Sequence, residues 1–471
     1  MAGQESASDI KIDKLVLRAA NGLFDLTNLL EELNIYEDIF ANSMKAHLTL
    51  QDSLNVPFYA PIVGEEYVDI SFRQSSVTAS GEKGTGGVIN PPRLYVHELS
   101  DRVIRTPKSQ RYSLDLVSEQ YMNNVHTKIS RSYSDGNWSI SDIVEDVWAN
   151  NLDDERELYV EETLGAEKIV VPNWSPHDLF NWLARRARAE EKPTAVNYLY
   201  FESMEGSHFV SLDTLMGNEP VLTFALKPRL DDPRNIEHLA VGQVKVDAII
   251  IDKGFQKIRN INNGLYASKL ITHDIVKKKI EQHDYNGFNE YFQTNHVAKF
   301  PSVSNSPTSL QSGSTFNTSF GPAPAGDNKI NEGNRLSEFV DSCIEFYPKH
   351  ENLYAEDFYD NKAEEWLLRR KNQMQQMDGQ TMVIECTGLS FIRLGLIVHL
   401  FIPSPETTSH GKQDVSVDKF LSGRYMITAI QHIIVQDSPG RFDYKMRIEL
   451  SKDGYSDVVP FSDLREDERT R

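Results

Sequence analysis

The sequence predicts a mainly β protein with an α+β part: two similar antiparallel β-barrels, an intervening α+β domain, and an inserted region of loop and helix. Three observations predict this fold class. Most patterned segments alternate apolar and polar residues with a period of two, as strands do. Helical patterns occupy the stretch between Ser139 and Leu183 and a later one, 361–377. Four strands of the first quarter recur in the same order near the C-terminus.

Length and charge limit the classes of function. The chain has 471 residues, which suggests about three or four domains. It carries 49 Lys and Arg against 69 Asp and Glu, a formal charge of −20. Such a balance argues against a protein that grips nucleic acid by its phosphates. The hydrophobic fraction of 39% is enough for packed cores and excludes wholesale disorder.

Compartment signals are few. The two cysteines, Cys343 and Cys386, cannot form a disulfide framework or a four-thiolate zinc site, and they suit a reducing compartment. Met1 to Asp13 is polar and lacks the apolar region of a secretory signal. The longest apolar stretch, Leu394 to Pro403, is about half of the roughly 20 residues that a spanning helix needs. We therefore expect a soluble protein made in cytoplasm.

The first barrel is predicted over residues 1–125 from four alternating segments rich in β-branched and aromatic residues. They are Met44–Gln51, Glu66–Phe72, Arg93–Leu99 and Arg111–Val117. The middle α+β domain, residues 126–213, begins with two helices that have Ser139 and Ser175 as N-caps, the second with proline at its first helical position. Two strands follow, Asn197–Phe201 and His208–Leu212.

The second half is predicted from composition and pattern. Residues 214–253 contain the strand Val244–Ile251 and are assigned to the second barrel, which occupies 380–455. Between them lies an inserted region, 254–379. It contains a linker at 301–335, where Pro301 to Gly326 has no charged residue, and a helix at 361–377. Residues 456–471 form a C-terminal tail.

An internal duplication underlies the two-barrel prediction. Met382–Cys386, Gly395–Phe401, Arg424–His432 and Arg441–Ser451 correspond in order to the four strands of the first quarter. From the glycine before the second strand to the third strand the spacing is 93 − 64 = 29 in one copy and 424 − 395 = 29 in the other. From the third strand to the fourth it is 110 − 93 = 17 and 441 − 424 = 17. A trimer of such a chain would present six similar units around its axis.

The duplicated region also resembles a known family. Gly395 to Pro403, then Phe420 to His432 and Tyr444 to Leu450, are similar to the tube domain of the central baseplate hub of contractile-tailed phages. The VgrG protein of type VI secretion and the late-control D protein of smaller phages share that domain. Leu179 to Leu215 resembles the α+β domain between the two barrels of those hubs, and Tyr36 to Phe40 resembles the entry segment ahead of the first barrel.

The resemblance implies a structural role and a set of partners. The hub would be a homotrimer whose six barrels continue the tail tube. It would contact the trimeric spike protein on one face and the tail tube or tube-initiator proteins on the other, with baseplate wedge proteins as possible further partners. DNA would pass through its channel without specific binding, and lumen-facing carboxylates would repel phosphates. The chain ends at Arg471 without the fused spike of VgrG, so we expect a spike on a separate polypeptide.

No catalytic, cofactor-binding or metal residue is predicted. Gly81 to Gly87 fails the phosphate-loop pattern. The pairs His273-Asp274 and His283-Asp284 contain metal-ligand types but lie among strands and loops, and Lys277 to Lys279 is expected to be a solvated face. Trp174 and Trp182 are expected to pack in a core. His432 matches a histidine common in the family's barrels, and His97, near the equivalent place in the first copy, is expected to share its structural role.

Alternatives to the hub remain open at this point. One is a tail-associated cell-wall hydrolase, since a paired-carboxylate site can be hidden among 69 acidic residues. Another is the tip protein of a related contractile injection system, and a third is a carbohydrate-binding module of the tail. We expect a virion protein of the tail baseplate, assembled in the host cytoplasm, that is not an enzyme.

Overall fold

The computed structural model describes residues 9–74, 88–106, 109–134, 138–152, 156–226, 243–254, 256–301, 337, 339–349, 362–403, 418 and 420–456. Strands dominate these residues, as the fold-class prediction requires. Within the described ranges, no helix combines the length and apolar character needed to cross a membrane.

The N-terminal quarter is almost entirely strand. Its elements are β1 (Asp9–Ala19), β2 (Gly22–Asp25), β3 (Leu30–Asp38), β4 (Lys45–Asp52), α1 (Val56–Tyr59), β5 (Tyr67–Gln74), β6 (Val88–Ile89), β7 (Leu94–Thr106) and β8 (Ser109–Ser118).

Helices and short strands alternate in the middle of the chain. They are α2 (Glu119–His126), β9 (Ile129–Tyr133), α3 (Ile140–Asn151), β10 (Glu157–Val160), β11 (Ile169–Trp174), α4 (Pro176–Ala184), β12 (Tyr198–Glu202), β13 (Gly206–Ser211) and α5 (Leu212–Met216). Both predicted helix starts are confirmed, because the Ser139 and Ser175 hydroxyls accept from the backbone N–H groups of Asp142 and Asp178.

The remaining elements complete the fold. They are β14 (Thr223–Leu226), β15 (Gln243–Lys253), α6 (Lys257–Asn262), β16 (Ala267–Asp274), β17 (Lys279–Asn286), α7 (Gly287–Tyr291), β18 (Phe300–Pro301), a 3₁₀ turn (Val340–Ser342), β19 (Ile344–Lys349), α8 (Ala363–Met377), β20 (Gln380–Thr387), β21 (Ile397–Phe401), β22 (Gly423–Ser438), β23 (Arg441–Lys452) and β24 (Gly454–Tyr455).

Fourteen strands form one sheet that closes on itself as two barrel-like rings. Ring two runs β23-β20-β15-β14-β21-β22 and is closed by pairing between β22 and β23. Ring one runs β1-β5-β7-β8-β4-β3. Its two end strands pair with ring two, β1 with β23 and β3 with β22. The β22–β23 hairpin therefore belongs to both rings.

The predicted duplication is visible in the strand order. Ring one contains β4-β8-β7-β5 and ring two contains β20-β23-β22-β21, all antiparallel neighbours. Gly64 (φ 101°) and Gly395 (φ 73°) both have the left-handed backbone that favours glycine. A bulge leaves His97 unpaired in β7 and Thr428 unpaired in β22, and 428 − 97 = 331 equals 395 − 64.

Four sequence expectations need correction at this level. The spacing between the third and fourth repeated strands is not identical in the two copies. Val96 pairs with Leu116 and Ile427 with Leu450, so the offset there is 450 − 116 = 334. Ring two is not wholly antiparallel, because β14 runs parallel to both β15 and β21. The 16 residues 227–242 between β14 and β15 are long enough for the crossover that a parallel pair requires.

Tyr36 to Phe40 is not merely an entry segment, since β3, a strand of ring one, ends at Asp38. The inserted region contains more than loop and helix. Its strands β17, β16 and β19 form a separate sheet, and α8 packs against that sheet. The linker at 301–335 falls outside the described residues except for Pro301.

The cores follow the same organisation. One continuous apolar cluster fills both rings, and Phe72 of ring one meets Tyr444 of ring two edge to face with 5.6 Å between ring centroids. The middle elements have their own core around Leu179, Phe180 and Phe209. Two rings that share a core and a hairpin behave as one packed unit.

Candidate functional site: the joint between the rings

The joint is made by strands that leave one ring and enter the other. β22 pairs with β21 up to Met426 and, beyond the Thr428 bulge, with β3 from Ala429 to Val435. Bulges bend a strand and redirect it, so the bulge accounts for the change of partner. Arg441 of β23 also holds Asp9 of β1, with 2.9 Å between Nη2 and Oδ1.

A buried carboxylate lies at the centre of the joint. Glu37 of β3 and His432 of β22 are both almost fully buried, with 2.7 Å between Glu37 Oε1 and His432 Nε2. His432 Nδ1 lies 2.7 Å from the hydroxyl of Tyr444. The other oxygen of Glu37 accepts from the backbone N–H of Met204, in the turn between β12 and β13, at 3.0 Å. One side chain thus ties ring one to ring two and to the middle elements.

This network tests the two histidine predictions differently. His432 has the predicted structural role. His97 does not share it, because it is the exposed bulge residue of β7 and its equivalent in β22 is Thr428. The sequence could not reveal Glu37 as the partner of His432, since burial on both faces removes the alternating pattern from β3.

A second buried carboxylate seats the middle elements on ring one. Glu202 of β12 is fully buried. Its Oε2 accepts from the backbone N–H of Met44 at 2.9 Å and from the Ser118 hydroxyl at 2.5 Å, and its Oε1 pairs with Arg156. Burial raises the pKa of the Glu202 carboxyl, and Arg156 opposes part of that rise. Next to it, the Tyr200 hydroxyl donates to Gln120 at 2.9 Å.

The inserted region is fastened to the end of β23. Asp453 is buried. Its Oδ2 lies 2.5 Å from His296 Nδ1, and its Oδ1 accepts from the Ala298 N–H at 2.9 Å. The preceding residue, Lys452, is also buried and donates to the carbonyl oxygens of Phe420 and Ser422 at 2.8 and 3.2 Å. Burial lowers the pKa of Lys452 to about 8.

The Thr294, His296 and Asp453 side chains superficially resemble a hydrolase triad. However, His296 Nε2 lies 2.6 Å from the carbonyl oxygen of Tyr291, an atom that can only accept. Nε2 must therefore carry a proton, and it cannot take one from the Thr294 hydroxyl 3.0 Å away. This arrangement fits a structural fastening and does not support acid–base chemistry.

The metal-ligand types singled out in the sequence do not converge. His273 faces Ile280 across the β16–β17 pair and His283 faces Leu270. Residues 270 and 273 lie on opposite faces of β16, so the two histidines do as well. Over the ranges the structure describes, no group of three His, Cys, Asp or Glu residues is placed to hold a metal ion. Gly81 to Gly87 lies outside those ranges.

The two tryptophans have the expected packing role. The rings of Trp174 and Trp182 lie 5.7 Å apart against the core of the middle elements, and the guanidinium of Arg186 lies over Trp182. Lys277 to Lys279 is exposed at the tip of the β16–β17 hairpin. The buried polar networks around Glu37, Glu202 and Asp453 each join separate parts of the chain.

Two packed strand rings joined by buried carboxylates define the fold of the described residues. No family model matches the chain. The 43 kDa tail protein of prophage MuSo2 from Shewanella oneidensis has the same fold, with a TM-score of 0.50, 12% identity, and coverage of 94% of this chain and 99% of that one. A tail protein from Neisseria meningitidis MC58 gives a TM-score of 0.49 at 10% identity, over 94% of this chain and 97% of that one.

The resemblance to baseplate hubs is confirmed by a curated relative. The chain is similar to the probable baseplate hub protein gp334 of Vibrio phage KVP40, with 19% identity over 277 residues. That match covers 58% of this chain and 62% of the relative, less than two thirds of its length.

Proposed function

We propose that the chain is a structural component of a contractile phage tail baseplate. Three copies would form a hub with pseudo-sixfold symmetry that joins the trimeric central spike to the hexameric tail tube. The observation that carries the proposal is the repeated four-strand order of the two rings within one chain. A threefold assembly of such chains has six similar units, which is the geometry needed to match a threefold partner to a sixfold one.

The mechanism would be mechanical. The shared hairpin and common core hold the two rings of a chain at a fixed angle, so three chains can keep spike and tube coaxial. Release of the spike on sheath contraction would leave an open channel. The formal charge of −20 favours passage of DNA without specific binding, because like charges repel.

The partners follow from this role. We propose the trimeric spike protein on one face, tail tube or tube-initiator proteins on the other, and baseplate wedge proteins at the periphery. The protein would reside in the virion tail and assemble in the host cytoplasm. The similarity to the KVP40 hub protein supports a structural role. The hydrolase alternative gains no support from His296, whose Nε2 is already engaged with a carbonyl group.

Native mass measurement combined with electron microscopy of single particles tests the proposal. We expect a species of three 53.6 kDa chains that forms a ring with six lobes around a channel. The same preparation should not cleave purified peptidoglycan. A monomer that degrades cell wall would overturn the hub in favour of the hydrolase.

A further inference from the structure

One edge of ring one is open. Beyond the His97 bulge, β7 continues to pair with β8, but β5 contacts β7 only through Tyr67–Tyr95 and Val68–Leu94. Among the described residues, no strand pairs with the other edge of 98–104. Val103 and Ile104 on this stretch are 55% and 70% exposed. An open edge with exposed apolar side chains is a template for another strand.

The equivalent edge of ring two is occupied. The stretch of β22 beyond its own bulge, Ala429 to Val435, pairs with β3. By the offset of 331, this is the stretch that corresponds to the open part of β7. Among the described residues, ring one therefore lacks the partner that ring two has. The missing strand should resemble β3 in its position.

β15 is the strand of ring two that occupies the position of β3. β3 pairs with β4 through Leu33–Leu48, and β15 pairs with β20 through Ile249–Ile384. β14 pairs with β15 only from Gln243 to Val246. In the described part of the chain, no strand pairs with residues 247–253 on the edge of β15 that faces β14. Ile250 and Ile251 in this stretch are 55% and 51% exposed.

We propose that these two open edges dock against each other between copies of this chain. Residues 98–104 of β7 in one copy pair antiparallel with residues 249–254, at the C-terminal end of β15, in the next copy, as β22 pairs with β3 inside the chain. The inference rests on the proposed trimer and names its contact surface. The contact is head to tail, and it closes into a ring after three copies.

The register follows from the intrachain pair. In that pair Ile433 lies opposite Asn34. Asp101 and Arg102 form a second bulge in β7, since Ser100 pairs with Ser113 and Val103 with Arg111. Counting these two residues as one position makes Val103 the equivalent of Ile433. Leu33 of β3 and Ile249 of β15 are equivalent, an offset of 249 − 33 = 216, so the equivalent of Asn34 is Ile250. The two exposed side chains Val103 and Ile250 thus face each other.

A second surface on the same side supports the docking. The β20–β21 connection packs on ring one, where Gln74 donates to the Gly388 carbonyl at 2.6 Å and accepts from the Ser390 N–H at 3.0 Å. Leu389 and Ile392 in this connection are buried. The corresponding β4–β5 connection of ring one instead exposes a group of apolar side chains, namely Leu54, Phe58, Tyr59 and Val63. A neighbouring ring two would cover them.

Disulfide trapping tests the register. The variant V103C/I250C should give covalent dimers and trimers under mild oxidation, because facing residues of paired strands satisfy disulfide distances. Native Cys386 should stay unreactive, since burial raises the pKa of its thiol to about 12. The control V103C/I280C places the second cysteine on the exposed face of the β16–β17 hairpin, outside the proposed contact, and should stay uncrosslinked.

Charged substitutions at the two facing positions test whether this strand pairing stabilises the trimer. V103K and I250K should each raise the protein concentration at which trimers form at least tenfold and leave the thermal midpoint of the monomer unchanged, because both sites are exposed. V103K/I250E should restore the trimer, whereas I280K should never disturb it. A trimer that resists both lysines and does not crosslink would overturn the strand pairing and leave the hub standing. A wild-type chain that is monomeric at all concentrations would overturn both.

Discussion

Glu37 of ring one accepts a hydrogen bond from His432 of ring two over 2.7 Å, although 395 positions separate them along the chain. Neither side chain has appreciable contact with solvent. A carboxylate and an imidazole can be buried only where each has polar partners, because removing them from water without new hydrogen bonds costs several kcal/mol. Their pairing therefore makes correct closure of one ring depend on the presence of the other.

The first prediction concerns this pair. His432→Ala should lower the free energy of unfolding by about 3–5 kcal/mol, since it leaves the Glu37 carboxylate buried with one partner lost. The control is His47→Ala, which breaks a partly exposed pair with Asp115 and should cost under about 1 kcal/mol. Equilibrium urea unfolding measures both. Equal losses in the two variants would contradict the central role of the joint.

The second prediction concerns the contact by which Glu202 holds the middle elements on ring one. Glu202→Ala removes the acceptor for the Met44 N–H, the Ser118 hydroxyl and Arg156. We expect faster limited proteolysis between residues 126 and 213, with the rings still protected, because loss of this contact weakens the attachment of the middle elements to ring one. Glu205→Ala, which breaks a more exposed pair with Arg393, should leave the digestion pattern unchanged. Uniform acceleration across the chain would argue against a local seat.

The third prediction is a pH dependence. The folded-state pKa of Lys452 is lowered to about 8 from 10.5. Between these values the unfolded chain binds more protons than the folded one, so stability rises with pH across that window. Lys452→Met should abolish this contribution. We therefore expect the thermal unfolding midpoint of wild type to rise relative to that of the variant as the pH increases from 8 to about 10.

The matched control for that measurement is Lys445→Met, at an exposed position of the same strand. Its midpoint difference from wild type should not change over the same pH range. A parallel shift in both variants would assign the effect to net charge rather than to burial of Lys452.

The fourth prediction compares glycines of the left-handed region. Gly64, Gly395 and Gly440 all have positive φ, so alanine should cost each about 1–2 kcal/mol from backbone strain. A Cβ at Gly395 would also lie 2.9 Å from Leu215 Cδ2, whereas none lies within 4 Å at Gly440. Gly395→Ala should therefore be more destabilising than Gly440→Ala in urea unfolding. A larger loss for Gly440→Ala would contradict the packing of Leu215 on this turn.

The sequence predicts the strands that have one face on a core and the other in solvent. β4, β5 and β8 bury every second residue, and Gly64 and Gly395 mark the same turn in each copy. β3 escapes prediction because both of its edges and much of both faces are covered, which leaves Leu33, Asn34 and Ile35 buried in succession. The partner of such a strand is set by a distant segment and has no local signal.

The same reason limits prediction of the joint. His432 can be recognised as structural from its family resemblance. Its contact with Glu37, and the contact of Glu37 with the Met204 N–H, arise only from the folded topology. β14 runs parallel to both β15 and β21, a direction that its own four residues do not indicate. In the inserted region, β19 joins β16 from about 75 positions away, so no local pattern indicated the sheet that forms there.

The pairing of β22 with β3, which joins the two rings, has a consequence for how force passes through the molecule. β22 and β3 run side by side over seven paired positions, from Ala429–Asp38 to Val435–Glu32. A pull along these strands loads all of their hydrogen bonds in shear at once, so no single bond bears the strain alone. Each chain should then resist extension along these strands as a stiff element. Any compliance of the assembly would reside at the seams between chains.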